Sequence, residues 1–313
     1  MSAAAPRVGF LGLGIMGAQM ASRLVGTGQN VMVYNRSVAK AEPLRQLGAA
    51  VASTPAEVTS TCDLVFAMLA DPKAAKAVAM DGPDSAVAGI AARPASAKPV
   101  TYVDCSTVDA ATGEQVGDAI TAAAPRTGFL AAPVSGGWRD ARDGTLLFLC
   151  GGHQTAYEAA VPGLDAMGSR RWLLGSTPRD AARAKLMLQV MMGNIVGSLA
   201  EMMALSKAAG LDEAAILEVL GESAMANPLC KAKGELMRKN DYEPNFQVYL
   251  QQKDLRLALQ LADDLGVPAP ISAASNGQYI RARQMGFADK DFAAVRAAYE
   301  AQVQLNQPET EDA

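Results

Sequence analysis

The chain has 313 residues and half of them are apolar, so it is long enough to form two domains that each bury a core. Its formal net charge of −4 argues against a nucleic-acid partner, and no apolar run approaches the length of a membrane span. The four cysteines lie far apart and accompany no histidine cluster, which argues against a metal site and against a disulfide framework.

The first predicted elements are a strand, a glycine turn, a helix and a second strand. An apolar run at 8–11 precedes Gly12-x-Gly14-x-x-Gly17, helical spacing resumes over 18–25, and a strand follows over 30–34. In such a turn the first glycine permits the bend, the second lets backbone approach a pyrophosphate, and the third lets helix and strand pack closely. Glycine turns also occur for structural reasons, but the flanking elements favour a dinucleotide site. Its residues are Gly12, Leu13, Gly14, Ile15, Met16 and Gly17.

The residues after the second strand indicate which dinucleotide binds. An NAD site normally places Asp or Glu about 20 residues beyond the glycines, to hold the ribose 2′-hydroxyl. This chain has Asn35, Arg36 and Ser37 there. A cation with neutral hydrogen-bonding groups suits a 2′-phosphate, which a carboxylate would repel. We therefore predict NADPH/NADP+ as the cofactor, the alternative being that Arg36 is a solvated loop charge.

Strands and helices alternate up to about residue 177. The apolar run at 63–69 predicts a strand buried on both faces, and ligands bind beyond the carboxyl ends of such strands, so we expect Leu69 and Ala70 to lie along the cofactor. The stretch 82–98 is predicted to be a helix fragment and a surface insertion. The other predicted strands are 48–51, 100–104, 128–131, 145–150 and 171–174, and the other predicted helices are 39–47, 110–123 and 155–167.

Beyond residue 178 every periodic segment is helical. The predicted helices are 180–209, 212–223, 229–239, 246–265, 271–285 and 292–305, and an acidic tail at 307–313 is predicted to be disordered. The pattern predicts an α/β fold, with an N-terminal Rossmann-type doubly wound sheet followed by an all-α C-terminal domain, joined by a long helix. We place the NADP-binding domain at 1–177 and a helical substrate and oligomerisation domain at 178–313.

Lys185 is the best candidate for a proton donor. The one histidine, His153, follows a strand and begins a helix, which favours a surface turn residue. Lys185 instead lies near the start of the long apolar helix, with Gln189 one turn later on the same face. Partial burial would lower the pKa of a lysine toward neutrality and make it a better acid. The alternative is an ordinary lysine whose ammonium reaches solvent from a buried helix.

Several motifs together resemble the β-hydroxyacid dehydrogenase family, over roughly residues 8–299. They are GFLGLGIMG, YNR after the second strand, DCST, PVSGG, the helix lysine and QQKDLRLAL. Within that family, AMANP and QQKD resemble the NADPH-dependent glyoxylate/succinic semialdehyde reductases more than the 3-hydroxyisobutyrate dehydrogenases. The resemblance implies a soluble oxidoreductase that acts on small acids and forms a homodimer or homotetramer.

The resemblance also implies roles for individual residues. Lys185 corresponds to the catalytic lysine, and Lys253 to a lysine that contacts the cofactor. Thr107 corresponds to a residue that borders both cofactor and substrate. The positions implied in substrate binding are Ser106, Thr107, Ser135, Gly136, Gly137, Gln189, Phe246 and Asp254. The residues of the 135–137 loop agree with this role, because glycine leaves N–H groups accessible to a carboxylate and a serine adds a hydroxyl donor.

Two positions depart from the family pattern. The family has a Gly-x-Gly pair upstream of its lysine, where this chain has Arg179-Asp180-Ala181, and it has Asn where this chain has Gln189. Glutamine keeps the amide but extends it by one methylene. We therefore expect a different fit of the substrate at this point.

The expected reaction is NADPH-dependent reduction of glyoxylate to glycolate and of succinic semialdehyde to 4-hydroxybutyrate, in the cytoplasm. The N-terminus lacks the apolar core of a signal peptide, although an organellar form after removal of a transit peptide stays open. One alternative is oxidation of a β-hydroxyacid such as 3-hydroxyisobutyrate; imine reduction is less favoured. The alternative from another class is an NADPH-binding interaction module without turnover.

Overall fold

The structure is a computed structural model that describes residues 7–305, with side chains described as far as residue 301. Backbone contacts divide the chain into two compact units, of which the first ends at Leu186 and the second begins at Met187. The division falls inside one long helix, later than the boundary that we predict at 177/178. The acidic tail at 307–313 lies outside the described residues.

The first unit is an α/β domain with a sheet of nine strands among its described residues. The strands are β1 (Val8–Leu11), β2 (Val31–Tyr34), β3 (Ala50–Val51), β4 (Leu64–Ala67), β5 (Thr101–Asp104), β6 (Gly128–Ala131), β7 (Val134–Ser135), β8 (Leu146–Gly152) and β9 (Gly168–Gly175). Their order is β3-β2-β1-β4-β5-β6-β8-β7, with β9 beside β8. Strands β1 to β6 pair in parallel, and β8 runs antiparallel to β6 and β7.

The helices of this unit cover both faces of the sheet. They are α1 (Ile15–Gly26), α2 (Glu42–Gln46), α3 (Pro55–Thr61), α4 (Pro72–Met80), α5 (Ala86–Ala91), α6 (Ala110–Ala123), α7 (Trp138–Asp143) and α8 (Gln154–Met167). Strand β4 shows why its sequence is apolar throughout: Phe66 belongs to the core on one face, and Val65 and Ala67 belong to the core on the other. A parallel strand covered on both sides needs apolar residues at every position. The predicted doubly wound sheet is confirmed.

The stretch 82–98 is more than a surface insertion. Its helix fragment is α5, which packs on α3 so closely that a Cβ on Gly89 would lie 2.2 Å from the Ala56 carbonyl oxygen. Arg93 donates hydrogen bonds to the carbonyls of Thr59, Ser60 and Cys62 at 2.9–3.1 Å, and so caps the end of α3. The residues of this stretch outside α5 are mostly exposed, as predicted, although low periodicity concealed how closely α5 packs and the buried cap that Arg93 forms.

The long helix α9 (Pro178–Ala208) leads into a second unit that contains only helices among its described residues. The others are α10 (Glu213–Glu222), α11 (Pro228–Lys239), α12 (Val248–Asp264), α13 (Pro270–Ala282) and α14 (Arg296–Leu305), with a short π-helix at Arg283–Phe287 and a 3₁₀ turn at Phe292–Val295. Their core includes Met203, Leu255, Tyr279 and Phe292. The all-α second half predicted from the sequence is confirmed.

Helix α9 is long and apolar enough to span a bilayer, by length and composition alone. Its most apolar 18-residue window has a mean hydropathy of 1.3, and 44% of that window is buried within the protein. The core helix of a soluble protein meets the same criterion. The expectation from the sequence, that no apolar run approaches a membrane span, therefore does not hold for this helix.

Candidate functional site

The turn between β1 and α1 needs glycine at two of its three glycine positions. Gly12 has φ +94°, and a Cβ there would lie 2.5 Å from the Met68 carbonyl oxygen. A Cβ on Gly17 would lie 2.0 Å from the Gly12 carbonyl oxygen. Both distances are shorter than real Cβ contacts, so a side chain at Gly12 would displace the loop after β4, and one at Gly17 would push α1 away from the turn.

Gly14 is different, because no atom beyond its chain neighbours and the backbone of its own helix lies within 4 Å of the position that its Cβ would take. It is the N-cap of α1, and neither a side-chain cap nor an acidic residue occupies the first turn. The N–H groups at this end of α1 therefore face open space with the positive end of the helix dipole, which is an arrangement that binds phosphate. The side chain of Leu13 is buried and that of Met16 packs against the core.

Asn35 holds the glycine turn in place. Its Oδ1 accepts a hydrogen bond from the Leu13 N–H at 2.8 Å, and its Nδ2 donates to the Ser37 carbonyl at 2.9 Å. Both ends of the amide are thus engaged within the protein. The following residues, Arg36 and Ser37, are exposed.

A cavity of about 460 Å³ runs from the glycine turn along the carboxyl ends of the strands. Arg36 and Ser37 line it, as do Leu69 and Ala70 after β4. Lys40 lines it as well, and our sequence interpretation missed this residue. It lies four positions after Arg36 in a 3₁₀ turn at Val38–Ala41. No spacing rule pointed to it, because Arg36 precedes this turn and only the lining of the cavity brings the two cations together.

The rest of the cavity lining is partly apolar and partly acidic. It includes Pro55, Ala74, Ala77, Val78, Asp81 and Asp84. Apolar surface suits a flat ring such as adenine, and the two cations suit a phosphate. The lining of the cavity and the open end of α1 together fit a phosphorylated dinucleotide.

The loop after β5 is tied to the loop after β4. Ser106 Oγ accepts a hydrogen bond from the Leu69 N–H at 2.9 Å, and the Ser106 N–H donates to Asp104 Oδ1 at 2.9 Å. Ser106 is 2% exposed and Asp104 is 3% exposed. Burial raises the pKa of Asp104 to about 6, against the lowering effect of the hydrogen bonds from Ser106. Thr107, the next residue, is partly exposed.

The 135–137 loop contains one N–H group that is already engaged. Ser135 ends the short strand β7, and Gly136 follows with φ +124°, which favours glycine. Gly137 is the N-cap of α7, and its N–H donates to Asp140 Oδ2 at 2.7 Å. The expectation that the N–H groups of both glycines are accessible is therefore wrong for Gly137. The half-buried Ser135 keeps a hydroxyl donor at this loop.

The segment 179–181 that departs from the family pattern forms the start of α9. Asp180 Oδ2 accepts hydrogen bonds from Thr177 N–H at 3.0 Å and from Thr177 Oγ at 2.7 Å, which lower the pKa of Asp180. Ala181 is fully buried, and a Cβ on Gly151 would lie 2.8 Å from its nitrogen. These residues thus cap the helix and pack it on the strand β8. Lys185, one turn later, is 6% exposed.

In the second unit, Gln189 donates a hydrogen bond from Nε2 to Asp254 Oδ2. Asp254 Oδ1 also lies 2.7 Å from Lys253 Nζ. The longer side chain at 189 therefore has a definite partner, 65 positions away in the chain. The structure brings together three of the predicted residues, Gln189, Lys253 and Asp254, and all three are buried.

These residues belong to a helical turn of α12 that is buried on all sides. Four consecutive polar residues, Gln251 to Asp254, are each 8% exposed or less. Consecutive helical residues point in four different directions, so no side of this turn faces solvent. Gln251 Nε2 donates to the Gln189 carbonyl at 3.2 Å, in a space that exists because residue 193 is glycine.

Phe246 is fixed by the residues around Asp291. The Phe246 N–H donates to Asp291 Oδ2 at 3.3 Å, and its carbonyl accepts from the Phe292 N–H at 2.8 Å. The two phenyl rings meet edge to face with centroids 5.6 Å apart. Our sequence interpretation missed Asp291, because nothing near it in the sequence distinguishes it from a helix cap.

The remaining reactive side chains form no second centre in the described part of the chain. His153 is exposed and its Nδ1 lies 3.1 Å from Thr155 Oγ. All four cysteines are free and buried, and burial raises the pKa of Cys62 and Cys150 to about 12. Within residues 7–301, no group of three or more His, Cys, Asp or Glu side chains could hold a metal ion.

Both halves of the chain match known families of protein domains. Residues 7–176 match the NAD binding domain of 6-phosphogluconate dehydrogenase, and residues 180–299 match the NAD-binding domain of NADP-dependent 3-hydroxyisobutyrate dehydrogenase. Two similar relatives are named glyoxylate/succinic semialdehyde reductase 2, chloroplastic, and glyoxylate/succinic semialdehyde reductase 1, both from Arabidopsis thaliana. The first is 44% identical over 94% of this chain and 79% of its own length. The second is 40% identical over 92% of this chain and 96% of its own length.

Among solved structures, a 3-hydroxyisobutyrate dehydrogenase from Salmonella typhimurium matches with a TM-score of 0.83 and 25% identity. The match covers 94% of this chain and 99% of that one.

Proposed function

Because the chain belongs to the β-hydroxyacid dehydrogenase family of NAD(P)-dependent oxidoreductases, we propose that it reduces small aldehyde acids with NADPH. The family acts on CH–OH groups, and the cofactor is NADP(H). The proposed substrate class rests on one observation. The chain is 44% identical, over 94% of its length, to a relative named for glyoxylate and succinic semialdehyde.

The dinucleotide is held by the first unit in this proposal. The end of α1 and the glycine turn bind the pyrophosphate, while Arg36, Ser37 and Lys40 bind the 2′-phosphate. Leu69 and Ala70 form the wall along the cofactor, with Thr107 nearby. Lys253, in the second unit, takes the cofactor-contacting role that the family resemblance implies. Bound NADPH supplies the hydride for the reduction.

Lys185 is the general acid in the proposed reaction. Reduction of an aldehyde places negative charge on the former carbonyl oxygen, and the ammonium of Lys185 donates a proton to it. A buried lysine suits this role because little bulk water competes as the proton donor. The support is the position of Lys185 near the start of α9 together with its 6% exposure.

The substrate carboxylate binds at the 135–137 loop in this proposal. Ser135 donates its hydroxyl, and the backbone of Gly136 approaches closely because the residue has no side chain. Asp140 already accepts the Gly137 N–H, so it holds the loop and does not bind the substrate. Gln189, Phe246 and Asp254 border the substrate in the second unit.

Steady-state assays of the purified protein test the reaction. Glyoxylate, succinic semialdehyde and related short aldehyde acids are supplied with NADPH and with NADH, and oxidation of NADPH is followed at 340 nm. We expect turnover of glyoxylate and succinic semialdehyde, with NADPH as the more efficient cofactor. NADPH binding without turnover of any aldehyde acid would instead support an interaction module.

A second candidate is oxidation of 3-hydroxyisobutyrate or a related β-hydroxyacid. It is favoured by the match to the Salmonella typhimurium enzyme of that name. Comparing kcat/KM for 3-hydroxyisobutyrate with NADP+ against kcat/KM for succinic semialdehyde with NADPH separates the two. A larger value for the hydroxyacid would replace our first proposal.

Assembly and compartment remain predictions from the family resemblance and the sequence. We expect a homodimer or homotetramer, which light scattering on the purified chain measures directly. We expect a cytoplasmic protein, which fractionation of the source cells tests.

A further inference from the structure

Asp104 is a buried carboxyl group that the proposed reaction does not use. It ends β5, is 3% exposed, and accepts hydrogen bonds from both the N–H and the hydroxyl of Ser106. Burying a carboxylate is costly unless its hydrogen bonds are well made. A carboxylate at the carboxyl end of a central strand, next to the dinucleotide cavity, therefore calls for a specific role.

The hydrogen bonds of Ser106 have a fixed direction. An ionised carboxylate only accepts, so the Ser106 O–H donates to Asp104 and the oxygen's lone pairs are left for another donor. That donor is the Leu69 N–H, 2.9 Å from Ser106 Oγ. Asp104 thus acts on Leu69 through one intervening hydroxyl group.

Leu69 in turn forms part of the cavity wall. It lines the cavity together with Met68 and Ala70. The same segment packs on the glycine turn, since a Cβ on Gly12 would meet the Met68 carbonyl at 2.5 Å and Leu69 Cδ2 at 2.8 Å. A displacement of the Leu69 backbone would therefore change both the wall and the support of the turn that binds pyrophosphate.

We propose that Asp104 and Ser106 are positioning residues for the dinucleotide. Asp104 orients the Ser106 hydroxyl, and the hydroxyl holds the Leu69 N–H and with it the cavity wall against the glycine turn. Ser106 is 2% exposed and its oxygen is engaged on two sides, so this role replaces the substrate contact that the family resemblance implies for it. The inference rests on the dinucleotide occupying the cavity, and not on the identity of the aldehyde.

Fluorescence titration of the full chain with NADPH tests the proposal without any turnover. We expect Ser106→Ala and Asp104→Ala each to raise the Kd for NADPH about tenfold, because each leaves the Leu69 N–H without its oriented acceptor. The Kd of the double variant for NADPH should be no larger than that of the weaker-binding single variant, because the two residues act in series. In steady state, KM for NADPH should rise, while kcat and KM for the aldehyde acid stay within twofold.

Asp109→Ala is the matched control. Asp109 caps α6 by accepting the Thr112 N–H at 2.8 Å, so its loss lowers stability without touching the Leu69 segment. We expect a lower melting temperature and an unchanged Kd for NADPH. If Asp104→Ala does not fold, Ser106→Ala alone decides, because it removes only a hydroxyl group.

Two results would overturn the proposal. One is a Kd for NADPH in Ser106→Ala within twofold of the unsubstituted chain, with KM for the aldehyde acid unchanged as well. The other is an unchanged Kd with a raised KM for the aldehyde acid, which would make Ser106 a direct substrate contact. Absence of turnover in every variant would count against the proposed reaction only, because the Kd is measured without substrate.

Discussion

Lys233 and Asp291 form a buried ion pair in the second unit, with Lys233 Nζ 2.8 Å from both carboxylate oxygens. Asp291 is fully buried and also accepts the N–H groups of Asn245 and Phe246, at 3.1 and 3.3 Å. Lys233 Nζ lies 4.6 Å from the ring centroid of Phe292, and the ring of Phe292 meets that of Phe246 edge to face. The pair therefore holds both the backbone and the ring environment of Phe246, a proposed substrate-bordering residue.

Breaking this ion pair should be strongly destabilising. Lys233→Met leaves Asp291 buried without its cation, and we expect the free energy of unfolding to fall by about 3–5 kcal/mol. Urea denaturation followed by circular dichroism measures the change. Asp143→Asn is the control, because its pair with Arg142 is exposed to solvent and should contribute little to stability. A loss below about 1 kcal/mol for Lys233→Met would show that the pair is not stabilising the fold.

The glycines of the turn should separate folding from binding. Gly14→Ala places a methyl group in open space, so we expect stability within about 1 kcal/mol of the parent but a Kd for NADPH raised at least about tenfold. Gly17→Ala places a Cβ against the Gly12 carbonyl and should lower the melting temperature as well. Thermal melts of the apo protein and fluorescence titrations measure both quantities. Equal NADPH affinity in Gly14→Ala and the parent would mean that the pyrophosphate does not approach this residue.

Arg36 and Lys40 should determine the choice between NADPH and NADH. A charged hydrogen bond to a phosphate is worth about 1.5–3 kcal/mol, so replacing both residues with alanine should raise KM for NADPH by about 100-fold. KM for NADH should change less than about threefold, because NADH lacks the 2′-phosphate. The ratio of kcat/KM values for the two cofactors is the measurement. Parallel losses with both cofactors would indicate a damaged cavity and contradict the assignment.

Lys185→Ala should lower kcat while leaving cofactor binding intact. Loss of a general acid typically costs 10²- to 10⁴-fold, and we expect kcat for glyoxylate to fall by at least about 100-fold. Lys207→Ala is the control on the same helix, since that lysine is exposed and pairs with Glu300. Activity of Lys185→Ala within tenfold of the parent would remove Lys185 as the proton donor.

The stability contribution of Asp104 should depend on pH. Its pKa in the folded protein is about 6, above the unfolded value near 3.9, so the folded state holds the proton more tightly. The free energy of unfolding should therefore fall as pH rises from about 4 to 6 and level off above pH 7. Relative to Asp104→Asn, which cannot titrate, we expect a fall of roughly 2 kcal/mol over this range. A difference between the two proteins that does not change with pH would contradict the raised pKa.

The patterns that predict the first unit are local. The glycine turn and the apolar strands depend on neighbouring residues, because their signals are the residue spacing and the conformational freedom of glycine. Arg36 in place of an acid is likewise a local signal, because its charge at one position after the second strand indicated NADP(H). The prediction of that cofactor is confirmed. Lys185 was found on a helix face by spacing alone, and its role stays a prediction.

The contacts that only the tertiary structure revealed join residues far apart in the chain. Asp254 meets Gln189 across 65 positions, Asp291 meets Phe246 across 45, and Ser106 meets Leu69 across 37. No spacing rule predicts such pairs, because the packing of helices and the register of strands bring them together. The role of Ser106 as a positioning residue could therefore be inferred only once the structure showed its hydroxyl between Asp104 and Leu69.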